Sequence, residues 1–203
     1  MEAKKRKDLK AFITILILST TIYSQKKLEI VFNEETKKDI NDYAYLNSIK
    51  TIDSTDIYVL KDFKSFAEYN NEGKLQVPEI LFFNSSGYLV KNRFNDNECT
   101  QVITDIKKIN KLKFDKNVNI NQYKLKIKNL NQPTLNEDDK VYEYYIIINW
   151  AKFVKDFNTQ SFDWYKQLAA NPLKSKVKCY FLNLDVQKSW NLNEKQKAVL
   201  KIK

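Results

Sequence analysis

The sequence predicts an α/β fold, and three observations carry that reading. Apolar runs of strand length recur between segments whose apolar residues repeat at helical spacing. Glycine and proline are scarce, two and three in 203 residues, so few positions take a positive φ at low cost and many-turn β folds are disfavoured. The stretch from Val77 to Phe94 reads as two antiparallel strands joined by a tight turn. A hydrophobic share of 43% places the chain among globular rather than disordered proteins.

The first 24 residues stand apart from the rest. Lys4, Lys5, Arg6, Lys7 and Lys10 precede an uncharged, mostly apolar run from Ala11 to Tyr23, and Ser24 follows. A basic start, a short apolar stretch and a small residue make up a bacterial secretory signal peptide. The run falls short of the roughly 20 residues that a membrane span needs. Cleavage after Ser24 is therefore expected, with residues 25–203 exported to the periplasm or cell envelope, or secreted. No Cys follows the apolar run, so no lipid-modified terminus is expected. Of the formal charge of +10, +7 stays with residues 25–203. That charge suits weak adhesion to an anionic envelope surface. Lysines interleaved with Asp and Glu along the whole chain do not make a nucleic-acid site.

The remaining elements follow in order. Leu28 to Phe32 suits a strand, and Asn33 offers an N-cap with Glu34 and Glu35 in the first turn of a helix running to Lys50. Asp56 to Leu60 is a second strand, and Asp62 to Asn70 a short helix ended by Gly73. Val77 to Phe83 is a buried strand, Asn84-Ser85-Ser86-Gly87 a turn, and Tyr88 to Phe94 its antiparallel partner. Asn95 opens a helix through Ile109. Lys113 to Gln122 reads as a linker, Lys124 to Leu130 as an exposed strand, and Asn131 to Lys140 as a loop. Tyr144 to Ile148 has no polar face, as expected of a central strand covered on both sides. Asn149 to Ala170 reads as a helix stopped before Pro172, and Val177 to Leu184 as a further strand. The tail is weakly helical from Glu194 to Val199 and strand-like after it.

Two stretches together resemble the thioredoxin-like fold. Val77-Pro78-Glu79-Ile80-Leu81-Phe82-Phe83, with its turn and Tyr88-Leu89-Val90, is similar to that family's cis-proline loop, central strand, turn and edge strand. Tyr145-Ile146-Ile147-Ile148-Asn149-Trp150-Ala151, with the following helix and Val177 to Asp185, is similar to its first strand, its Trp-Ala lead into the redox helix and its next strand. The resemblance covers about two thirds of residues 25–203. It implies a three-layer α/β/α arrangement around a mixed sheet, a cis bond at Pro78 and a substrate-contacting backbone beside it. The proline half comes first in the chain, so either two modules or one rearranged domain is expected; the two-module reading gives residues 25–112, then a linker and edge strand over 113–140, then a partial βαβ module over 141–203.

The family's chemistry is absent from these positions. Its reactive pair is Cys-x-x-Cys, placed so that a helix N-terminus lowers the first thiol's pKa. With Trp150-Ala151 aligned, Val154 and Phe157 stand at the two Cys positions, and Asn33 to Thr36 hold no Cys either. The chain has no His, which removes His-based triads and most metal sites. Two distant Cys and unclustered carboxylates do not make a zinc site, and two glycines make no phosphate loop. Glu137-Asp138-Asp139 lacks the alternating oxygen ligands of a calcium loop. No cofactor is expected. Cys99 is the one candidate for a reactive thiol, near a helix start that lowers its pKa while Asp96 and Glu98 raise it. Cys99 and Cys179 are either a disulfide or two buried thiols. Of the aromatic set Phe153, Phe157, Phe162, Trp164 and Tyr165, part must be core, and Phe162 and Tyr165, if exposed, form an apolar patch.

The expected function is thus an exported, non-catalytic thioredoxin-like protein that binds a protein or peptide partner. Val77, Pro78, Phe153 and Phe157 are its expected contacts. The alternatives are a redox protein acting through Cys99 alone, and a structural envelope protein with a basic surface.

Overall fold

A computed structural model describes residues 31–47, 52–91, 94–132 and 141–202. The expected signal segment, Leu28 to Ile30 and the Glu137-Asp138-Asp139 cluster lie outside the described residues.

The central element is β6 (Tyr144–Trp150), whose residues are buried except Tyr145. β7 (Val177–Asn183) runs parallel to it in register from Tyr144 opposite Val177 to Trp150 opposite Asn183. β1 (Ile57–Leu60) lies parallel to β7 on the far side. β2 (Glu79–Phe83) pairs antiparallel with the other edge of β6, and β3 (Tyr88–Val90) with β2. The outermost strands are β4 (Phe114–Asn119) beside β3 and β5 (Ile127–Asn129) beside β1, both antiparallel. The result is one mixed seven-stranded sheet in the order β4-β3-β2-β6-β7-β1-β5.

Alternation along the strands divides the core in two. Tyr144, Ile146, Ile148 and Trp150 face one side with Phe82 and Phe181. Ile147 faces the other with Phe83, Tyr180 and Leu182. The first side is covered by α1 (Lys37–Asn47), α3 (Asp96–Thr104) and α5 (Thr159–Ala169). The second is covered by α2 (Phe63–Asn71), α4 (Ile120–Lys124) and α6 (Glu194–Leu200). Each fully buried aliphatic side chain of this kind contributes about 1.5–3 kcal/mol.

Local chemistry sets the element ends. Asn95 caps α3 through the Glu98 N–H, and the Glu98 carboxylate accepts the Asn95 N–H in return, a capping box. Asp62 caps α2 by accepting the Ser65 N–H at 2.7 Å. At Gly87, φ is +78° and an added Cβ would lie 2.7 Å from Cγ2 of Ile120, so conformation and space both require glycine there.

Several expectations are corrected. Residues 31–34 form no strand, and α1 starts at Lys37 rather than after Asn33, because Thr36 and Asp39 cap each other. Glu35 is instead bridged to Gln187. The expected linker over 113–122 holds β4 and α4. β4 escaped notice because an edge strand with Lys116 and Asn117 exposed carries no apolar face. The expected helix from Asn149 begins only at Thr159, since β6 runs on to Trp150 and a 3-10 segment, Lys152–Asn158, intervenes. Phe162 and Tyr165 are buried and form no exposed patch. α6 runs through Leu200 with no strand in the described residues after it. From Val31 on, the described residues form one compact unit, in which β6 and β7 insert between β2 and β1.

Candidate functional site

The two stretches that carry the resemblance are about seventy residues apart in the chain, yet they meet at one end of the sheet. Glu79 pairs with Asn149, so the antiparallel register leads the Val77–Pro78 loop to the end of β6 that carries Trp150 and Ala151. The Val77–Pro78 bond is cis, as the resemblance implies. The Asn149 side-chain amide donates to the carbonyls of Lys74 and Gln76 at 3.3 and 3.2 Å, holding the loop that carries Val77 against β6.

The chain beyond Trp150 is fixed by buried polar side chains. Asn158 acts on the Ala151 peptide from both sides. Its Oδ1 accepts the Ala151 N–H at 2.9 Å, and its amide donates to the Ala151 carbonyl at 2.6 Å. Ser161 Oγ donates to the Asn149 carbonyl at 2.7 Å. Asp185, 2% exposed just past β7, accepts the backbone N–H groups of Lys152 and Phe153 and the Asn183 amide. Lys152 in turn pairs with Glu35. Lys155 is left at φ 48° and ψ −114°, a conformation that costs a non-glycine residue energy.

The expected contact residues occupy the rim of this end. Val77 and Pro78 are half-buried, and so is Phe153, whose ring centre lies 4.9 Å from that of Phe32. Phe32 reaches on to Phe66 at 5.8 Å. Phe157 is 57% exposed. The structure therefore brings Val77, Pro78 and Phe153 to one sheet end and leaves Phe157 open to solvent on the turn that follows. Val154, at the other Cys position of the resemblance, is half-buried.

The residues that sequence reasoning missed are the polar anchors, Asp185 above all. Asp185 ends a strand in the sequence, but its partners come from a segment some thirty residues earlier, and no local pattern announces that pairing. Burial pushes its carboxyl up to about 6, against the hydrogen bonds from Lys152, Asn183 and Phe153 that favour the carboxylate. Both oxygens accept protein N–H groups and the residue is shut off from solvent, so the carboxyl positions a backbone turn rather than a reacting group.

Cys99 lies on α3 and Cys179 on β7; both are unbonded and buried. Burial, with Asp96 and Glu98, pushes the Cys99 thiol up to about 12. Almost no thiolate exists there at neutral pH, and thiolate is the reactive form. Neither cysteine is expected to alkylate in the folded protein at pH 8, with full reaction of both after denaturation. Intact-mass analysis before and after denaturant reads this, and rapid labelling of folded Cys99 would contradict it. Among the described residues, no cluster of three potential ligands for a metal ion occurs, and no helix is long and apolar enough to cross a membrane.

No protein-family model, curated protein or solved structure matches the chain.

Proposed function

We propose that this chain is an exported thioredoxin-like protein of the bacterial cell envelope that binds a protein or peptide partner without thiol chemistry. The observation that carries the reading is the register of β2 with β6. It joins the Val77–Pro78 loop and the turn after Trp150 at one sheet end, where the resemblance implies a substrate surface. At the two positions where the resemblance calls for cysteines stand Val154 and Phe157, so that surface is apolar rather than nucleophilic. The polar anchors support the same reading. Asn158 and Asp185 hold the turn in one conformation, and a preorganised surface loses less entropy on binding.

The single-thiol alternative is disfavoured by the buried, protonated Cys99. The basic-surface alternative predicts binding that weakens steeply with salt, whereas an apolar contact at Phe157 does not. Partner capture from the envelope fraction separates the three. Phe157→Asp is expected to lose the partner at least tenfold while retaining the wild-type melting temperature, since Phe157 is exposed. Cys99→Ala is expected to capture the partner as the wild type does. Retention by Phe157→Asp, or loss by Cys99→Ala, overturns the reading. The intact mass of the protein isolated from its host tests export: the proposal requires a chain that begins at Gln25.

A further inference from the structure

We propose that residues 31–35 form an autoinhibitory strap. Phe32 occupies an aromatic groove beside Phe153, and the partner binds by placing there an aromatic side chain followed by carboxylates. The groove adjoins the partner surface described above, and the inference rests on that reading.

The groove is built without Phe32. Phe66 stacks on Phe63 at 6.5 Å and 16°, and meets Trp190 at 5.9 Å. The backbone of Phe153 is held by its N–H bond to Asp185. Phe32 then enters edge-on, 4.9 Å from the Phe153 ring at 67° and 5.8 Å from the Phe66 ring at 88°. Edge-to-face contact is a geometry that aromatic rings favour, so the groove selects a ring.

The strap itself is lightly held. Residues 31–34 belong to no helix or strand, Phe32 is only half-buried, and Val31 is 58% exposed. The fastening lies at the far end. The Glu35 N–H donates to the Val186 carbonyl at 2.8 Å, and the Glu35 carbonyl accepts the Lys188 N–H at 2.9 Å. The Glu35 carboxylate pairs with Lys152, and the Glu34 carboxylate with Lys197 at 3.5 Å. A segment with so few anchors can open while the sheet stays folded.

The strap's own sequence states what replaces it. In Phe32-Asn33-Glu34-Glu35 a ring is followed by two carboxylates, and the groove answers with aromatic walls, Lys197 and Lys152. A partner segment of the same chemistry makes the same contacts. The Lys152 pair is largely buried, and such pairs are screened little by salt. The strap is tethered, so it competes at a high effective concentration, and a partner meets only the fraction of molecules in which it is open.

The test uses a fluorescein-labelled peptide of residues 27–36 added to the folded protein. Phe32→Ala empties the groove and should bind the peptide about tenfold more tightly than the wild type, whose own strap competes. A peptide that itself carries Phe32→Ala should bind neither protein. Lys197→Glu, added to the Phe32→Ala protein, should weaken the peptide about threefold, the scale of one exposed ion pair. Equal affinity of the peptide for wild type and Phe32→Ala overturns the proposal, and an affinity unmoved by Lys197→Glu overturns its acidic half. Hydrogen exchange of the wild type decides if Phe32→Ala does not fold. The Glu35 and Lys188 N–H groups should exchange through local opening, at rates insensitive to dilute urea, while those of β6 wait for global unfolding. Exchange of Glu35 only with global unfolding overturns the strap. In capture from the envelope fraction, Phe32→Ala should retain more partner than the wild type, and equal capture overturns the competition. Capture by neither protein counts against the partner surface, and the peptide and exchange results then decide the strap.

Discussion

Phe181→Ala is expected to destabilise the protein by about 3–5 kcal/mol, the cost of emptying a large aromatic site in a packed core. Phe181 is fully buried on β7, between β6 and β1. Its ring stacks on Trp150 at 5.2 Å and 19°, meets Phe162 edge-on at 5.1 Å, and lies 4.7 Å from Tyr165. These neighbours are not free to collapse into the gap. Trp150 is held on β6 by the sheet, and Tyr165 is pinned through its hydroxyl, which donates to Asp56 and accepts the Asp53 N–H. A cavity that cannot close keeps its full cost. Urea unfolding should show a lowered midpoint with an unchanged slope, and Phe181→Leu should lose markedly less. A loss below about 1 kcal/mol for the alanine variant would place Phe181 outside the core and contradict the packing described.

Asp185 should govern a distinct pH dependence. Its folded-state carboxyl lies at about 6, above the ordinary 3.8. Between those values the folded protein holds a proton that the unfolded chain has released, so stability falls as pH rises from about 4 to about 6. Two pKa units correspond to about 3 kcal/mol, and the residue is buried enough that solvent screens little of it. Asp185→Asn removes the titration while keeping one acceptor oxygen. The stability of the wild type relative to this variant is thus expected to drop by up to about that amount between pH 4 and 6, and to level off above. Taking the difference between the two proteins cancels the opposite trend of carboxylates such as Asp62 and Glu72, whose pKa values are lowered by the Ser65 N–H and by Lys126 respectively. Parallel pH curves for the two proteins would show that the Asp185 carboxyl is not shifted. Asp185→Ala should cost more than Asn at every pH, because it leaves the Lys152 and Phe153 N–H groups without an acceptor at roughly 1–3 kcal/mol each.

What the sequence revealed, and what it hid, follows from the range of the forces involved. β6 was legible because a strand covered on both faces is apolar throughout, from Tyr144 to Ile148. α2 and α3 were legible because Asp62 and Asn95 satisfy their own helices within three residues. β4 was not, since an edge strand is held by backbone pairing that leaves no side-chain signature. The start of α5 was misplaced because Asn149 and Trp150 belong to the sheet through long-range pairing with β2 and β7, which overrides the helical spacing of Phe153 and Phe157. The union of both halves in one sheet was hidden for the same reason: strand order is a property of contacts across the chain. At the site, Val77, Pro78, Phe153 and Phe157 were readable from the resemblance. Asn158 and Asp185 were not, because each acts on a backbone segment that only the fold brings to it.

The central claim is that a partner is bound through Val77, at the sheet end, and Phe157, on the turn that follows β6, and that binding needs no thiol. Site-specific photocrosslinking in the host cell tests it most directly, with a benzophenone amino acid placed in turn at positions 77, 157 and 116 of a Cys99→Ala chain. Lys116 lies on β4, at the outer edge of the sheet. The account predicts one and the same crosslinked partner from positions 77 and 157 and none from position 116. Crosslinks of equal yield from all three positions, or none from 77 and 157, would contradict it.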